Sequence, residues 1–260
     1  MPDLTYAMNQ HIATITLNRP HRKNAFTFAM LDEWAARLTE AERDPEVRVV
    51  VVTGTGGAFC SGVDLEEFGA HERTPLEEKQ LLTDRVHQVA HAMDAMSKPV
   101  LAAVNGVAVG AGMDMALMTD IRIAGESARF SEGYVRVGLV PGDGGCYYLP
   151  RVVGQSTALR LLWTGEFVPA DEALRIGLVS AVHPDGDLMD RTYALAATLA
   201  NRAPVAVQFI KRAVREGARH DLRTALDLIS SHQAIVLSTR DSAEARAAFT
   251  ERREARFEGR

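Results

Sequence analysis

The chain has 260 residues, 47% of them hydrophobic, which is enough apolar material for one large domain or two modest ones. A formal net charge of −5 argues against binding to bulk nucleic acid or to an anionic membrane surface. Cys60 and Cys146 lie far apart and outside any metal-ligand spacing, so neither a disulfide framework nor a zinc site is predicted. No apolar run approaches the roughly 20 residues of a membrane span, and no signal-peptide pattern opens the sequence. We therefore expect a soluble, cytoplasmic protein.

A basic turn follows the first predicted strand, residues 11–17. The strand ends at N-R-P, residues 18–20, and four basic or titratable side chains crowd the turn: Arg19, His21, Arg22 and Lys23. Such a cluster is typical of a solvated loop, unless a phosphate-bearing ligand lies beside it. Thr27 then caps a predicted helix that ends before Asp44.

The next predicted helix, residues 75–97, carries two histidines four residues apart on its polar side. His87 and His91 have a spacing that can bind a metal ion, but H-Q-V-A-H lacks the glutamate of a zincin motif and no third ligand is evident. We therefore expect a solvated helix face and no metal site.

The central feature of the sequence is a strand followed by closely spaced glycines. Residues 99–104 read P-V-L-A-A-V, a short apolar run typical of a buried strand, and Gly106, Gly110 and Gly112 follow it. A helix beginning near Gly112 would direct its first N–H groups at the glycine loop, where they favour negative charge. The stretch is therefore either an anion or oxyanion site or a tight packing turn.

Steps from an extended segment through a glycine turn into a helix recur along the first part of the chain. The predicted strand 47–53 and the extended run 129–137 are each followed by glycines and then by helical sequence. Beyond residue 150 only residues 178–182 are strand-like, and helices are predicted at residues 155–163, 170–176, 186–201, 205–216, 221–238 and 242–258. We interpret the chain as an α/β core domain, residues 1–200, followed by a helical oligomerisation region, residues 201–260.

Ordered blocks of this sequence resemble the crotonase, or enoyl-CoA hydratase/isomerase, superfamily along nearly the whole chain. The blocks are N-R-P and N-A-F within 18–26, G-G-A-F-C-S-G-V-D-L at 56–65, K-P-V-L-A-A-V-N-G and G-A-G within 98–112, D-I-R-I-A at 120–124, and G-L-V-P-G-D-G-G at 138–145. The resemblance implies an α/β fold, a crotonase-like spiral of ββα units with a C-terminal helical region. It also implies acyl-CoA thioester substrates and no cofactor beyond the coenzyme A that is part of the substrate.

The resemblance further implies a set of binding residues. The backbone N–H groups of Val63 and Ala111 fall where the family holds the thioester oxygen in an oxyanion hole, with Ala111 in place of the glycine of many relatives. The substrate- and CoA-binding positions of the family fall on Arg22, Lys23, Ala25, Ser61, Asp64, Leu65 and Arg252, the last of these serving a neighbouring subunit. Glu66 stands where some relatives place a lysine for the nucleotide phosphates, and at this position the chain departs from the pattern.

The acid–base positions depart from those of hydratases, in which two glutamates hold one water between them. The first glutamate falls on Asp114 and the second on Tyr134, a phenol whose unperturbed pKa near 10 makes it a poor base and a reasonable hydrogen-bond donor. Asp143 lies in a loop from which several relatives project a catalytic carboxylate. Glu132, expected on the same strand face as Tyr134, is an alternative for the second acid–base residue. We predict a catalytic group of Asp114, Asp143 and the pocket-lining Tyr134. The alternatives are that Asp114 and Asp143 are helix N-caps or first-turn charges and that Tyr134 is a ring of the core.

The sequence thus predicts an enzyme that stabilises a thioester enolate and adds water to a 2-enoyl-CoA. Double-bond isomerisation and acyl-CoA hydrolysis or lyase chemistry are alternatives within the superfamily, and a CoA-ester-binding protein with weak or no catalysis is a second alternative. An apolar stripe predicts homo-oligomerisation through the C-terminal helices, where it comprises Leu222, Leu226, Ile229, Ile235 and Val236. The resemblance implies a homotrimer or a dimer of trimers.

Overall fold

The computed structural model describes residues 2–69 and 72–260, and two sheets form the centre of the molecule. Their strands are β1 (Leu4–Asn9), β2 (Ile12–Leu17), β3 (Val49–Gly54), β4 (Ala58–Cys60), β5 (Val100–Val104), β6 (Val107–Val109), β7 (Ile121–Gly125), β8 (Arg129–Ser131), β9 (Val168–Pro169) and β10 (Ala181–His183). The larger sheet has the order β1–β2–β3–β5–β7–β10 and is parallel except for the β1–β2 pair. The smaller sheet has the order β4–β6–β8–β9 and is parallel except for β8–β9.

Helices surround the sheets and make up most of the chain after β10. They are α1 (Phe28–Arg43), α2 (Leu65–Phe68), α3 (Pro75–Leu81), α4 (His87–Ala95), α5 (Ala111–Leu117), α6 (Gly145–Val153), α7 (Gln155–Thr164), α8 (Ala170–Arg175), α9 (Leu188–Ala200), α10 (Pro204–Gly217), α11 (Leu222–Leu237) and α12 (Arg240–Glu251). Three units of two strands and a helix can be followed along the chain, since β3–β4 lead into α2, β5–β6 into α5 and β7–β8 into α6. The expected α/β spiral of ββα units and the C-terminal helices are therefore both present.

Alternation along the parallel strands divides the core between the two faces of the larger sheet. In β3, Val50 and Val52 belong to the main core with α1, whereas Val49 and Val51 pack on the other face beneath α9. Strands that are buried on both faces read as continuous apolar runs, which is why V-V-V-V in β3 and V-L-A-A-V in β5 lack any polar position. The sheet thereby becomes a rigid base for the loops that leave its strands.

Some element predictions are wrong at their ends. The expected extended run 129–137 stops at Ser131 and continues as a 3-10 turn, Gly133–Val137. The expected helix 75–97 is interrupted by a π turn, Leu82–Val86, and the expected helix 242–258 ends at Glu251. The chain turns after Ser131, and Glu132, which follows the strand, is buried.

The C-terminal helices bury little of their apolar surface within one chain. Leu222, Leu226, Ile229 and Ile235 are 43–74% exposed, and Val236 is half-buried. Lys211 fixes α10 to the core through its ammonium group, which lies 2.7 Å from both Lys98 O and Asp120 Oδ2. No helix in the described part of the chain is long and apolar enough to cross a membrane.

Candidate active site

Two loops come together where β6 ends and α5 begins. Gly62 has a left-handed φ of +96°, and a Cβ built on it would lie 3.5 Å from the backbone nitrogen of Ala111. A Cβ on Gly112 would collide with the carbonyl oxygen of Cys60. Glycine at both positions therefore permits the approach of the two backbones. The N–H groups of Val63 and Ala111 lie in these neighbouring loops, and the structure gives neither of them an acceptor within residues 2–69 and 72–260.

Beside these loops the structure brings together all three predicted catalytic side chains. Asp114 comes from the first turn of α5, Tyr134 from the 3-10 turn and Asp143 from the loop before α6. The Tyr134 hydroxyl oxygen lies 2.7 Å from Asp114 Oδ2 and 2.9 Å from Asp143 Oδ2. The phenol has one proton to donate, so both contacts are full hydrogen bonds only when one carboxyl is itself protonated and donates to the phenol oxygen. The trio is thus a chain of proton donors and acceptors.

Glu132 is the fourth member of this acid cluster, which we define as Asp114, Glu132, Tyr134 and Asp143. Its side chain is only 1% exposed, and neither carboxylate oxygen meets a donor within the described residues. Both oxygens face Gly145, where a Cβ would lie 2.8 and 2.9 Å from them and would collide with Asp114 Oδ1. Glu132 precedes the 3-10 turn, so the expectation that it shares a strand face with Tyr134 is wrong.

Burial raises the pKa of every member of the acid cluster. Burial and then the charge of Asp143 raise the pKa of Asp114 to about 7, against the hydrogen bond from Tyr134. Burial raises the pKa of Asp143 to about 6, again against that hydrogen bond. Burial, followed by the charge of Asp114, raises the pKa of Glu132 to about 10, so Glu132 is neutral and can donate its proton to Asp114. The pKa of Tyr134 lies well above its ordinary value for the same reasons.

Two carboxyls that titrate near neutral pH are suited to moving protons. A general acid or base works best when its pKa lies near the working pH, and Asp114 and Asp143 meet that condition. Tyr134 keeps its proton at neutral pH, since its pKa is raised, and links the two carboxyls as a donor. The arrangement can remove a proton at one carboxyl and deliver one at the other.

The two histidines of α4 occupy different environments. His91 is exposed, as expected for a solvated face, whereas His87 is half-buried and its Nε2 lies 2.8 Å from Gly142 O. The expectation of a solvated face is therefore wrong for His87. Within the residues that the structure describes, no three His, Cys, Asp or Glu side chains converge as a metal site requires.

The basic turn, which we define as residues 19–25, packs against the loop that follows β4. The Ser61 N–H donates to Lys23 O at 3.0 Å, and the Ser61 hydroxyl donates to Arg22 O at 3.2 Å. The Arg22 guanidinium makes two hydrogen bonds to Glu66, at 3.0 and 2.7 Å. Glu66, the residue that departs from the family pattern, thus pairs with the guanidinium group of Arg22.

The remaining predicted binding residues lie at or near this turn, with one exception. Asp64 forms an ion pair of 2.9 Å with Arg19, and Ala25 is buried. Leu65 is 70% exposed at the start of α2. Arg252 is exposed at the C-terminal end of α12, outside the turn. Its predicted service to a neighbouring subunit stays a prediction.

The chain belongs to the enoyl-CoA hydratase/isomerase family, whose model matches residues 7–260, and thus to the crotonase superfamily. It is an enzyme of this type. It is 38% identical over 245 residues to the short-chain-enoyl-CoA hydratase of Clostridium acetobutylicum, covering 93% of this chain and 92% of the relative. It is 35% identical over 250 residues to the 1,2-epoxyphenylacetyl-CoA isomerase of Escherichia coli, covering 96% and 95%. The crystal structure of an enoyl-CoA hydratase from Bacillus anthracis superimposes with a TM-score of 0.95 at 31% identity, covering both chains fully.

Sequence reasoning missed the contact of His87 and gave Glu132 only as a substitute. The signal for Glu132 was its position, because an acid in F-S-E-G-Y directly after a buried strand must either turn outward or be paired or neutral. For His87 no local signal existed, since its partner is a backbone carbonyl 55 residues further along the chain.

Proposed function

We propose that this enzyme adds water to a 2-enoyl-CoA, using the acid cluster for proton transfer and the loops at Val63 and Ala111 for the thioester oxygen. The single observation that carries the proposal is the phenol of Tyr134 joining two buried carboxyls whose pKa values lie near neutral. The hydratase named among its relatives supports the same reaction. The coenzyme A of the substrate is the only cofactor the proposal needs.

The oxyanion would form on the thioester oxygen as water attacks the β carbon. Val63 and Ala111 each offer an N–H for which residues 2–69 and 72–260 supply no acceptor. A pre-aligned donor of this kind is worth roughly 10²–10³ in rate. Donors that are already fixed by packed glycine loops need little reorganisation as the charge develops.

The lower pKa of Asp143 makes it the base and Asp114 the acid. Asp143, with a pKa of about 6, is mostly ionised at neutral pH and takes a proton from water as the oxygen bonds to the β carbon. Asp114, with a pKa of about 7, is partly protonated and gives its proton to the α carbon. Tyr134 then passes its proton to Asp114 and receives one from Asp143, which restores the starting state. The sum is addition of one water, with no net change in the enzyme.

Double-bond isomerisation is the second candidate, and one observation favours it. The Tyr134 hydroxyl bridges Asp114 and Asp143, and this tyrosine stands where the resemblance places the second of the two glutamates that hold the attacking water in hydratases. An isomerase needs one carboxyl to remove a proton and return it elsewhere, without water. The isomerase named among the relatives fits that reaction.

Turnover of matched enoyl-CoA esters in labelled water tests the proposal. Crotonyl-CoA and 3-hexenoyl-CoA are incubated with the enzyme in H₂¹⁸O, and the products are analysed by mass spectrometry. Hydration predicts one added water carrying the label on crotonyl-CoA. Conversion of 3-hexenoyl-CoA to its conjugated isomer without label favours isomerisation instead. Absence of both products, with the ester bound, contradicts both candidates and favours the non-catalytic alternative.

We also propose that coenzyme A binds at the basic turn and that the chain forms a homotrimer or a dimer of trimers. The turn offers Arg22 and Lys23 beside the loop of Ser61. The exposed apolar residues of α11, such as Leu226 and Ile229, favour assembly because they lack cover within one chain. Light scattering that returns a stable monomer of about 28 kDa at micromolar concentration would contradict the assembly.

A further inference from the structure

The π turn Leu82–Val86 changes which side chains of its helix face the loop 141–144. In an unbroken α-helix, residues five apart point about 140° away from each other. A π turn pairs residues five apart, so Leu82 and His87 come onto one face. Both meet Gly142: a Cβ on that glycine would lie 3.5 Å from Leu82 Cδ2, and His87 Nε2 lies 2.8 Å from its carbonyl oxygen. The inserted turn therefore holds the loop that carries Asp143.

The hydrogen bond fixes which nitrogen of His87 carries a proton. A carbonyl oxygen only accepts, so Nε2 donates to Gly142 O both when the ring is neutral and when it is charged. The contact therefore holds the loop in both protonation states of the ring.

His87 and Asp143 line one cavity of about 370 Å³, so the ring charge reaches the carboxyl across it. A positive charge on His87 lowers the pKa of Asp143, against the larger opposing effect of burial. Other titratable groups of the cavity are His91, Asp94, Cys146, Tyr147, Tyr148 and Arg219. Asp94 lies 3.6 Å from Arg219, which offsets the charge of that guanidinium. On its other side Asp143 meets the rest of the acid cluster.

We propose that His87 is a positioning residue for Asp143, holding the loop that carries this carboxyl through the hydrogen bond from Nε2 to Gly142 O. A positive charge on the ring also favours the ionised form of Asp143. The inference rests on the proposed catalytic role of Asp143. His91 takes no part in the contact with Gly142. His87 acts on the substrate only through Asp143.

The test compares His87→Leu, which removes both anchor and charge, with His87→Gln, whose amide can still donate to Gly142 O but stays neutral. His87→Leu is expected to lower kcat about tenfold or more with little change in KM, since small misplacements of a catalytic group reduce the rate strongly. His87→Gln is expected to restore most of kcat, with the acid limb of the pH–rate profile moved to higher pH. His91→Ala, on the same helix and one turn further along, is the control and is expected to match the wild type.

A double mutant separates this inference from the proposed function. In an Asp143→Asn background, His87→Leu is expected to have no further effect on kcat, because its influence passes through the missing carboxylate. A fully active Asp143→Asn enzyme would overturn the catalytic role itself. An impaired Asp143→Asn enzyme beside a wild-type His87→Leu would overturn the positioning role alone. Where His87→Leu does not fold, an unmoved acid limb in His87→Gln overturns the proposal.

Discussion

Acidic side chains are held in opposite ways in the acid cluster and at the basic turn. The cluster buries three carboxyls almost completely, with a phenol between two of them, and the pKa values of all three are raised. At the turn, Glu66 is exposed and paired with Arg22, and the hydrogen bond from Arg19 lowers the pKa of Asp64. Burial destabilises ionised carboxylates and prepares them for proton transfer, whereas exposed pairs contribute little to stability. The cluster is where changes of one atom should matter most.

The largest expected effect is that of Asp114→Asn, which keeps the shape of the cluster and removes its acid. We expect kcat to fall by a factor of roughly 10²–10⁴, because a positioned general acid or base accelerates a reaction by about that factor. Affinity for CoA esters should be nearly unchanged. Steady-state kinetics on the identified substrate measures it. Asp171→Asn, an exposed aspartate in the first turn of α8, is the matched control. Full activity of Asp114→Asn would end the proposed mechanism.

Tyr134→Phe removes the hydroxyl that bridges Asp114 and Asp143. The phenol lowers the pKa of both Asp114 and Asp143, so its loss raises both values. The acid limb of the pH–rate profile, where the base must be ionised, should therefore move to higher pH by about one unit, since a hydrogen bond to a charged group is worth roughly 1.5–3 kcal/mol. Tyr147→Phe, with a partly exposed ring, is the control. An acid limb that stays in place for Tyr134→Phe contradicts the bridge.

Glu132→Gln should stabilise the protein, and more so as pH rises. Folded Glu132 keeps its proton up to a pKa of about 10, whereas the unfolded side chain loses it near pH 4.3. Between these values the folded state binds more protons, so wild-type stability falls with rising pH, and glutamine removes that loss. At pH 8 we expect a gain of at least about 1.4 kcal/mol, the worth of one pKa unit. Chemical denaturation at pH 4 and pH 8 measures the difference.

The control for that experiment is Glu126→Gln, an exposed change that should leave the pH dependence as it is. Equal stability of Glu132→Gln and the wild type at both pH values would show that Glu132 ionises normally in the fold. Burial in the acid cluster would then not raise the pKa of Glu132.

The smallest expected effect lies at the basic turn. Glu66→Gln frees the Arg22 guanidinium, so affinity for coenzyme A should rise a few-fold, the scale of an exposed ion pair. The gain should shrink at high salt, because it rests on screened charges. Titration calorimetry with coenzyme A and with dephospho-coenzyme A measures it. Unchanged affinity for both ligands would place the phosphates elsewhere.

Much of the fold was readable from the sequence because its signals are local. The valine run of β3, the cap at Thr27 and the glycines before α5 each act within a few residues, and the structure has all three features. The family blocks likewise placed Asp114, Tyr134 and Asp143, which the structure brings into contact.

What the sequence could not show depends on contacts between distant segments. The π turn before His87 is a change of one residue in helical phase, and Gly142, which His87 contacts, lies far along the chain. The burial of Glu132 follows from the missing side chain of Gly145 and not from any property of its own segment. Similarly, the sequence shows that Arg22 is basic, but its pairing with Glu66, 44 residues further along the chain, is visible only in the folded structure.

Whether the acid cluster raises the pKa values of its two aspartates can be measured by NMR titration of protein carrying ¹³C at aspartate side-chain carboxyls. Assignment comes from Asp114→Asn and Asp143→Asn. We predict that the carboxyls of Asp114 and Asp143 titrate with pKa values of about 7 and about 6, two or more units above an ordinary aspartate, and that Tyr134→Phe raises both values further. Titration of both carboxyls below pH 4.5, with no response to Tyr134→Phe, would contradict the account.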